Sequence, residues 1–233
     1  MRGAAGRAVL SAAGTDRDGA ALGGAAFIRA NSTLARPALV PELRLYLATE
    51  ITPIWQATET WLAHANIAPP FWAFAWPGGQ AMARHILDNP ALVAGRRVLD
   101  FAAGGGVAGL AAALAGAAWV EANDIDPLAM AAIGLNAAEN NVAVRAAPGD
   151  IVGAACRWDM ILAGDVCYEA PMTRHIMPWL RGMAAQAEIW VADPGRAYLP
   201  GQGLQTLAEY DVPTTLELED HTHRRTVLYR LRP

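Results

Sequence analysis

The chain has 233 residues, 54% of them hydrophobic and 17% charged, with a formal net charge of −4. That length and composition suit one globular domain with a sizeable core and argue against two. The acidic balance gives no global basic field for a phosphate backbone, and the apolar runs break well before the ~20 residues of a membrane span, so neither nucleic acid nor membrane is an expected partner.

The two cysteines, Cys156 and Cys167, show neither zinc-ligand nor disulfide-framework spacing, so no metal is expected and a reducing cytoplasm fits. All eighteen basic residues are arginine and alanine is abundant throughout, which looks like a GC-rich bacterial coding bias. Residues 1–28 read as a flexible tail, with a transit-like segment as the alternative, and residues 29–233 as the domain. Within it, residues 36–66 read as helical pieces, Pro41 opening Glu42 to Leu47 and Pro53 opening Ile54 to His64. Pro69-Pro70 ends that region. The aromatic stretch Phe71 to Trp76 runs into Pro77-Gly78-Gly79, and a helix resumes from Gln80 to Leu87.

From here strands and helices alternate. Arg97 to Phe101, Ala118 to Ala122, Val142 to Ala146, Asp159 to Ala163 and Glu188 to Ala192 read as strands. Between them Val107 to Ala115, Pro127 to Asn140 and Ala170 to Ala184 read as helices. The pattern implies a Rossmann-like, doubly wound α/β sheet. At the end, Tyr210 to Leu218 and Arg225 to Leu231 flank a polar stretch and read as an antiparallel hairpin.

Gly104-Gly105-Gly106 falls between a strand and a helix, where absent side chains let the backbone approach a ligand and the helix N-terminus offers free N–H groups. Gly104-x-Gly106-x-x-Gly109 also matches the dinucleotide fingerprint literally, with Asp124 twenty residues after Gly104, so a nicotinamide-dependent oxidoreductase is one alternative. Asp100 argues against it: a carboxylate just before the glycines repels a pyrophosphate and suits the cationic amino-acid end of S-adenosylmethionine. Asp124 is then placed to accept from both ribose hydroxyls, and neighbouring Asp126, followed by Pro127, reads as a helix N-cap.

Asp150 is positioned for the adenine amine, with Ile151 available to stack on the ring; a plain turn is the alternative there. The fourth strand ends in Gly164-Asp165-Val166-Cys167-Tyr168, at the edge where open sheets hold their ligands. Asp165 and Tyr168, three residues apart, can hold an amine and aim its lone pair at a donor methyl, although a helix cap would also explain Asp165. Cys167 reads as a packing residue, since no histidine lies near it in sequence. The five histidines show no ligand spacing.

Trp76-Pro77-Gly78-Gly79-Gln80, Val98-Leu99-Asp100, Ala122 to Pro127, Asp165 to Tyr168 and Asp193-Pro194-Gly195-Arg196 occur in that order. In this the chain resembles the electron-transfer flavoprotein β-subunit lysine methyltransferases, within the seven-β-strand protein-lysine methyltransferases, over roughly Arg29 to Arg232. The resemblance implies a seven-stranded sheet closing in an antiparallel hairpin and donor contacts at Trp76, Asp100, Gly104, Gly106, Asp124, Asp150, Ile151 and Gly164. It implies acceptor-side roles for Asp165 and Tyr168. The implied reaction is methyl transfer to a lysine of the flavoprotein β subunit, with a ribosomal protein as the second acceptor. A non-catalytic module that keeps the cofactor fold is a further alternative. One residue departs from the family: Ala102 stands where a glycine is usual.

Overall fold

The computed structural model describes residues 17–49, 69–214 and 221–233. Helix α1 (Arg17–Asn31) leads into an antiparallel ribbon of β1 (Thr33–Ala35) and β2 (Leu45–Leu47). A 3-10 turn at Phe71–Ala73 precedes α2 (Pro77–Asp88), whose Pro77 sits where a missing N–H costs nothing. The alternating region is β3 (Arg97–Phe101), α3 (Val107–Leu114), β4 (Trp119–Asp124), α4 (Pro127–Glu139) and β5 (Arg145–Pro148). It continues through β6 (Met160–Gly164), α5 (Ala170–Met183) and β7 (Glu188–Asp193) to the hairpin of β8 (Leu204–Pro213) and β9 (His223–Leu231).

The seven strands β3 to β9 form one sheet in the order β5-β4-β3-β6-β7-β9-β8, parallel from β3 to β7, with β9 antiparallel to both β7 and β8; the parallel run and the closing hairpin are those the sequence pattern predicts, and the seven strands those the resemblance implies. Both faces are covered, which is why its central strands are apolar without alternation. Val98, Leu162 and Trp190 pack on one face with Met82 and Leu110 of α2 and α3. Their strand neighbours Leu99, Ile161 and Ile189 pack on the other with Ile176 and Leu180 of α5.

The order of strands changes direction between β3 and β6, and a ligand crevice opens at the carboxyl ends of the strands at such a point. The register brings the ends of β3, β4, β6 and β7, at Phe101, Asp124, Gly164 and Asp193, to that one edge.

Three expectations change. Residues 17–28, read as tail, lie in α1, and Ile28 is fully buried with Trp72, Ala129 and Ala132. The helix expected at Glu42 to Leu47 is instead the turn and short strand β2: Leu43 and Leu45 are buried, a two-residue spacing that fits a strand. The hairpin's first strand begins at Leu204 rather than Tyr210, because its solvent-facing residues hide the apolar alternation. The helix expected at Ile54 to His64 lies outside the described residues.

Candidate active site

A cavity of about 630 Å³ opens at the carboxyl edge of the sheet. Two of its walls are built locally. The loop after β3 turns through Gly104 and Gly106, both with positive φ, and Asp124 at the end of β4 accepts from the Gly104 N–H at 2.8 Å and from the Asp126 N–H at 3.0 Å. Asp124 thus holds the loop in place while remaining on the cavity wall. Asp126 caps α4 by accepting from the Leu128 N–H at 2.8 Å, a contact worth about 1 kcal/mol.

Asp100 is 4% exposed and accepts from the Gly109 N–H at 2.7 Å. Burial pushes its pKa up to about 7, partly offset by that hydrogen bond and reinforced by the neighbouring Asp124. A buried carboxylate held this way gains from a cation brought beside it.

The other walls come from distant segments. The aromatic stretch before α2 lines the cavity with Phe71, Trp72, Phe74 and Trp76, and the Trp76 indole N–H donates to the Phe71 carbonyl at 2.9 Å. Phe71 also meets Tyr168, ring centroids 5.5 Å apart, so residues from before α2 and after β6 touch at the cavity wall. Asp165 adopts a left-handed backbone (φ 56°) and donates its N–H to the Ala192 carbonyl. Its side chain accepts from the Gly79 N–H at 3.2 Å and pairs with Arg196 at 3.5 Å.

Gly78 is required there, because a Cβ would fall 2.5 Å from the Asp165 Oδ2 and 2.6 Å from the Ala192 carbonyl. The Tyr168 phenol has its pKa raised, chiefly by burial and also by Glu169, and so stays protonated as a donor. Cys167 is fully buried and pushed up to about 11 by that burial, which keeps it a thiol.

Of the residues singled out from sequence, Trp76, Asp100, Gly104, Asp124, Asp150, Gly164, Asp165 and Tyr168 share this cavity. Two do not line it. Gly106 is the N-cap of α3 and faces Ile133, where a Cβ would come within 3.2 Å, so its place is set by packing. Ile151 packs with the α5 side of the sheet, while Val152 and Ile125 are on the cavity wall.

Ile125 is 75% exposed, an unusual position for a large aliphatic side chain, and follows Asp124 directly. That exposure is invisible in sequence. Asp150 accepts from the Val152 N–H at 2.9 Å and contacts His175 at 2.8 Å, and these partners hold its pKa below the usual carboxylate range. Sequence also missed Arg196, although its motif was noted. Among the described residues no group of three His, Cys, Asp or Glu is arranged to hold a metal ion, and no helix is long and apolar enough to cross a membrane.

The cavity fits the methyl donor on chemical grounds. Asp100 and Asp124 flank a glycine loop at one end, which suits a ligand carrying an ammonium and a ribose, and the volume lies in the range of small-molecule sites. Sheet order, glycine loop and flanking acids together define an S-adenosylmethionine-dependent methyltransferase of the seven-strand class. Magnesium protoporphyrin IX methyltransferase from Synechocystis, solved with bound SAM, shares the fold, with a TM-score of 0.51 and 16% identity over 67% of this chain and 80% of that one.

In sequence, the chain is 35% identical over 216 residues to the electron transfer flavoprotein beta subunit lysine methyltransferase of Xenopus laevis, covering 89% of this chain and 86% of that one. The human protein of the same name is 34% identical over 189 residues, 77% of this chain and 70% of that one. The profile of the ribosomal protein L11 methyltransferase (PrmA) family matches residues 81–165. The chain belongs to the electron transfer flavoprotein beta subunit lysine methyltransferase family, whose members are protein-lysine methyltransferases.

Proposed function

We propose that this enzyme methylates a lysine side chain of the electron transfer flavoprotein beta subunit. The observation that carries the proposal is the similarity to enzymes of that name over most of both chains. The L11 profile, by contrast, spans only residues 81–165, from within α2 to Asp165 just past β6, which holds the residues proposed for the donor but stops short of Tyr168 and Arg196, and so speaks to the cofactor more than to the acceptor.

When bound, S-adenosylmethionine supplies a methyl group on a sulfonium; the amine lone pair forms the new N–C bond as the C–S electrons return to sulfur. In this proposal Asp100 receives the donor's ammonium, Asp124 its ribose hydroxyls, and Ile125 rather than Ile151 supports the adenine ring. Asp150 faces the adenine edge only in exchange for its contact with His175. Trp76 and Gly164 form the floor between the two ends. Asp165 and Tyr168 receive the acceptor nitrogen, the carboxylate accepting its N–H and the phenol fixing its approach, so that rate comes from alignment of nitrogen, carbon and sulfur.

The test is incubation with radiolabelled donor and either purified flavoprotein β subunit or ribosomal protein L11, followed by mass spectrometry. Label on lysine of the β subunit is expected. Label on L11 alone would overturn the assignment.

A further inference from the structure

Arg196 has no part in the reaction as set out above, yet it stands on the cavity wall beside Asp165. The chain fixes it there. Asp193, 1% exposed at the end of β7, accepts from the Gly195 N–H at 2.7 Å and the Arg196 N–H at 2.6 Å, and Gly195 takes the positive φ (87°) that lets the chain turn back. The guanidinium then lies 5.8 Å from the Trp76 ring centroid and 3.5 Å from the Asp165 Oδ1. Its side chain is 21% exposed and that of Asp165 11%, so the pair is little screened by water.

This placement answers a difficulty in the chemistry. A lysine of pKa about 10.4 reaches the enzyme as an ammonium without a lone pair. A carboxylate alone at the acceptor position would stabilise that ammonium and make matters worse. We propose that Arg196, paired with Asp165, is a positioning residue that cancels the carboxylate's charge at the acceptor site and so selects the neutral lysine amine. The Asp165 Oδ2, which accepts the Gly79 N–H, has a second lone pair to accept an amine N–H, while the guanidinium on the Oδ1 side repels a second positive charge. The proton given up by the lysine passes to bulk solvent at the open mouth, and the methylated nitrogen sheds its remaining extra proton there after transfer.

Other ionisable groups face the cavity. Asp100, Asp124 and Asp126 lie at the donor end, Asp150 and His175 face each other at 2.8 Å, and Glu169 adjoins Tyr168. Cys167 and Asp193 lie behind Asp165 and are buried. Of all these, Arg196 is the one paired to Asp165 as a cation among the described residues.

The inference rests on the lysine-transferase reading, so methylation of purified flavoprotein β subunit by the unmodified enzyme is measured first; no labelled lysine there counts against that reading itself. Single-turnover rates at saturating donor are then followed from about pH 6 to pH 10 for the enzyme, Arg196→Gln and Arg196→Lys, with circular dichroism to verify folding. For Arg196→Gln the rising limb should move up by about one pH unit or more and approach the parent rate at high pH, while Arg196→Lys keeps the parent limb.

A binding measurement gives an independent readout. Calorimetry of the β subunit onto the S-adenosylhomocysteine-loaded protein at about pH 8, in buffers of different ionisation heat, should show about one proton released per acceptor bound, and far less for Arg196→Gln. If Arg196→Gln lowers the rate equally at every pH, or releases as many protons as the parent, Arg196 merely braces Asp165 and the proposal fails.

Discussion

The two ends of the cavity are built in different ways. At the end proposed for the donor, Asp100, the glycine loop and Asp124 come from β3, the turn after it and β4, within a single βαβ unit held by hydrogen bonds that the Gly104 N–H donates to Asp124 and the Gly109 N–H donates to Asp100. At the end proposed for the acceptor, Asp165 after β6 is held by Gly79 at the start of α2 and by Arg196 after β7, and Tyr168 leans on Phe71. One end is a local motif. The other exists only once segments nearly a hundred residues apart have met, so it is the end where small changes in packing should be felt most.

The largest expected effect of breaking that asymmetry is at Gly78. A methyl group there cannot be absorbed by a flexible side chain, since it meets the backbone carbonyl of Ala192 at 2.6 Å as well as the Asp165 carboxylate. We expect Gly78→Ala to cost about 3 kcal/mol in urea unfolding and to abolish transfer. A variant as stable and active as the parent would show that α2 does not seat Asp165.

Next in size is Asp165→Asn, which keeps the shape and loses the charge that pairs with Arg196. Transfer should fall about 100-fold while donor affinity by calorimetry stays within about twofold. Loss of donor binding instead would move Asp165 into the donor end.

At the donor end the expected effect is a pH dependence. In the free protein Asp100 is raised to about 7, mainly by burial, so its proton is favoured below that pH. The donor's ammonium favours the ionised form, which means binding below about pH 7 must expel the proton, and affinity should drop up to tenfold for each pH unit of acidification and level off above neutrality. The same raised pKa makes the free fold lose stability as pH climbs from about 4 through 7, since the folded state holds that proton more tightly than the unfolded chain. Asp100→Asn should remove both slopes. A donor affinity that is flat between about pH 5 and pH 8 would separate Asp100 from the ammonium.

How far the sequence could be read follows the same division. The strand-loop-helix units from Arg97 onward carry their signals locally, in apolar runs, glycines and the Asp126-Pro127 cap, and the structure has them within a few residues. The early region misled, because a short ribbon strand such as Leu45–Leu47 has too few residues to show its period against a nearby proline. Ile151 and Ile125 look equally apolar in sequence. Only the turns after β5 and β4 decide that one packs inward and the other stands in the cavity. Arg196 was visible as part of a motif but had no partner on paper, since Asp165 reaches it through the pairing of β6 with β7.

The smallest expected effect concerns Ala102. It takes a left-handed backbone, φ 53°, one residue past the end of β3. An alanine there costs about 1–2 kcal/mol relative to a right-handed conformation, whereas glycine adopts it without a Cβ penalty. Glycine also gives the unfolded chain more freedom, which takes back about 0.4–1 kcal/mol. The balance, between about 0 and 1.6 kcal/mol, predicts that Ala102→Gly stabilises the fold slightly, measured by the urea midpoint at unchanged slope. Because Ala102 lines the same cavity as Asp100, the same variant also sharpens the view of the end proposed for the donor. An unchanged donor affinity means the methyl group is strain alone, and a tighter one means it also crowds the ligand. Destabilisation beyond about 1 kcal/mol would show instead that this methyl, packed against the α5 side of the core, contributes more by burial than its backbone costs.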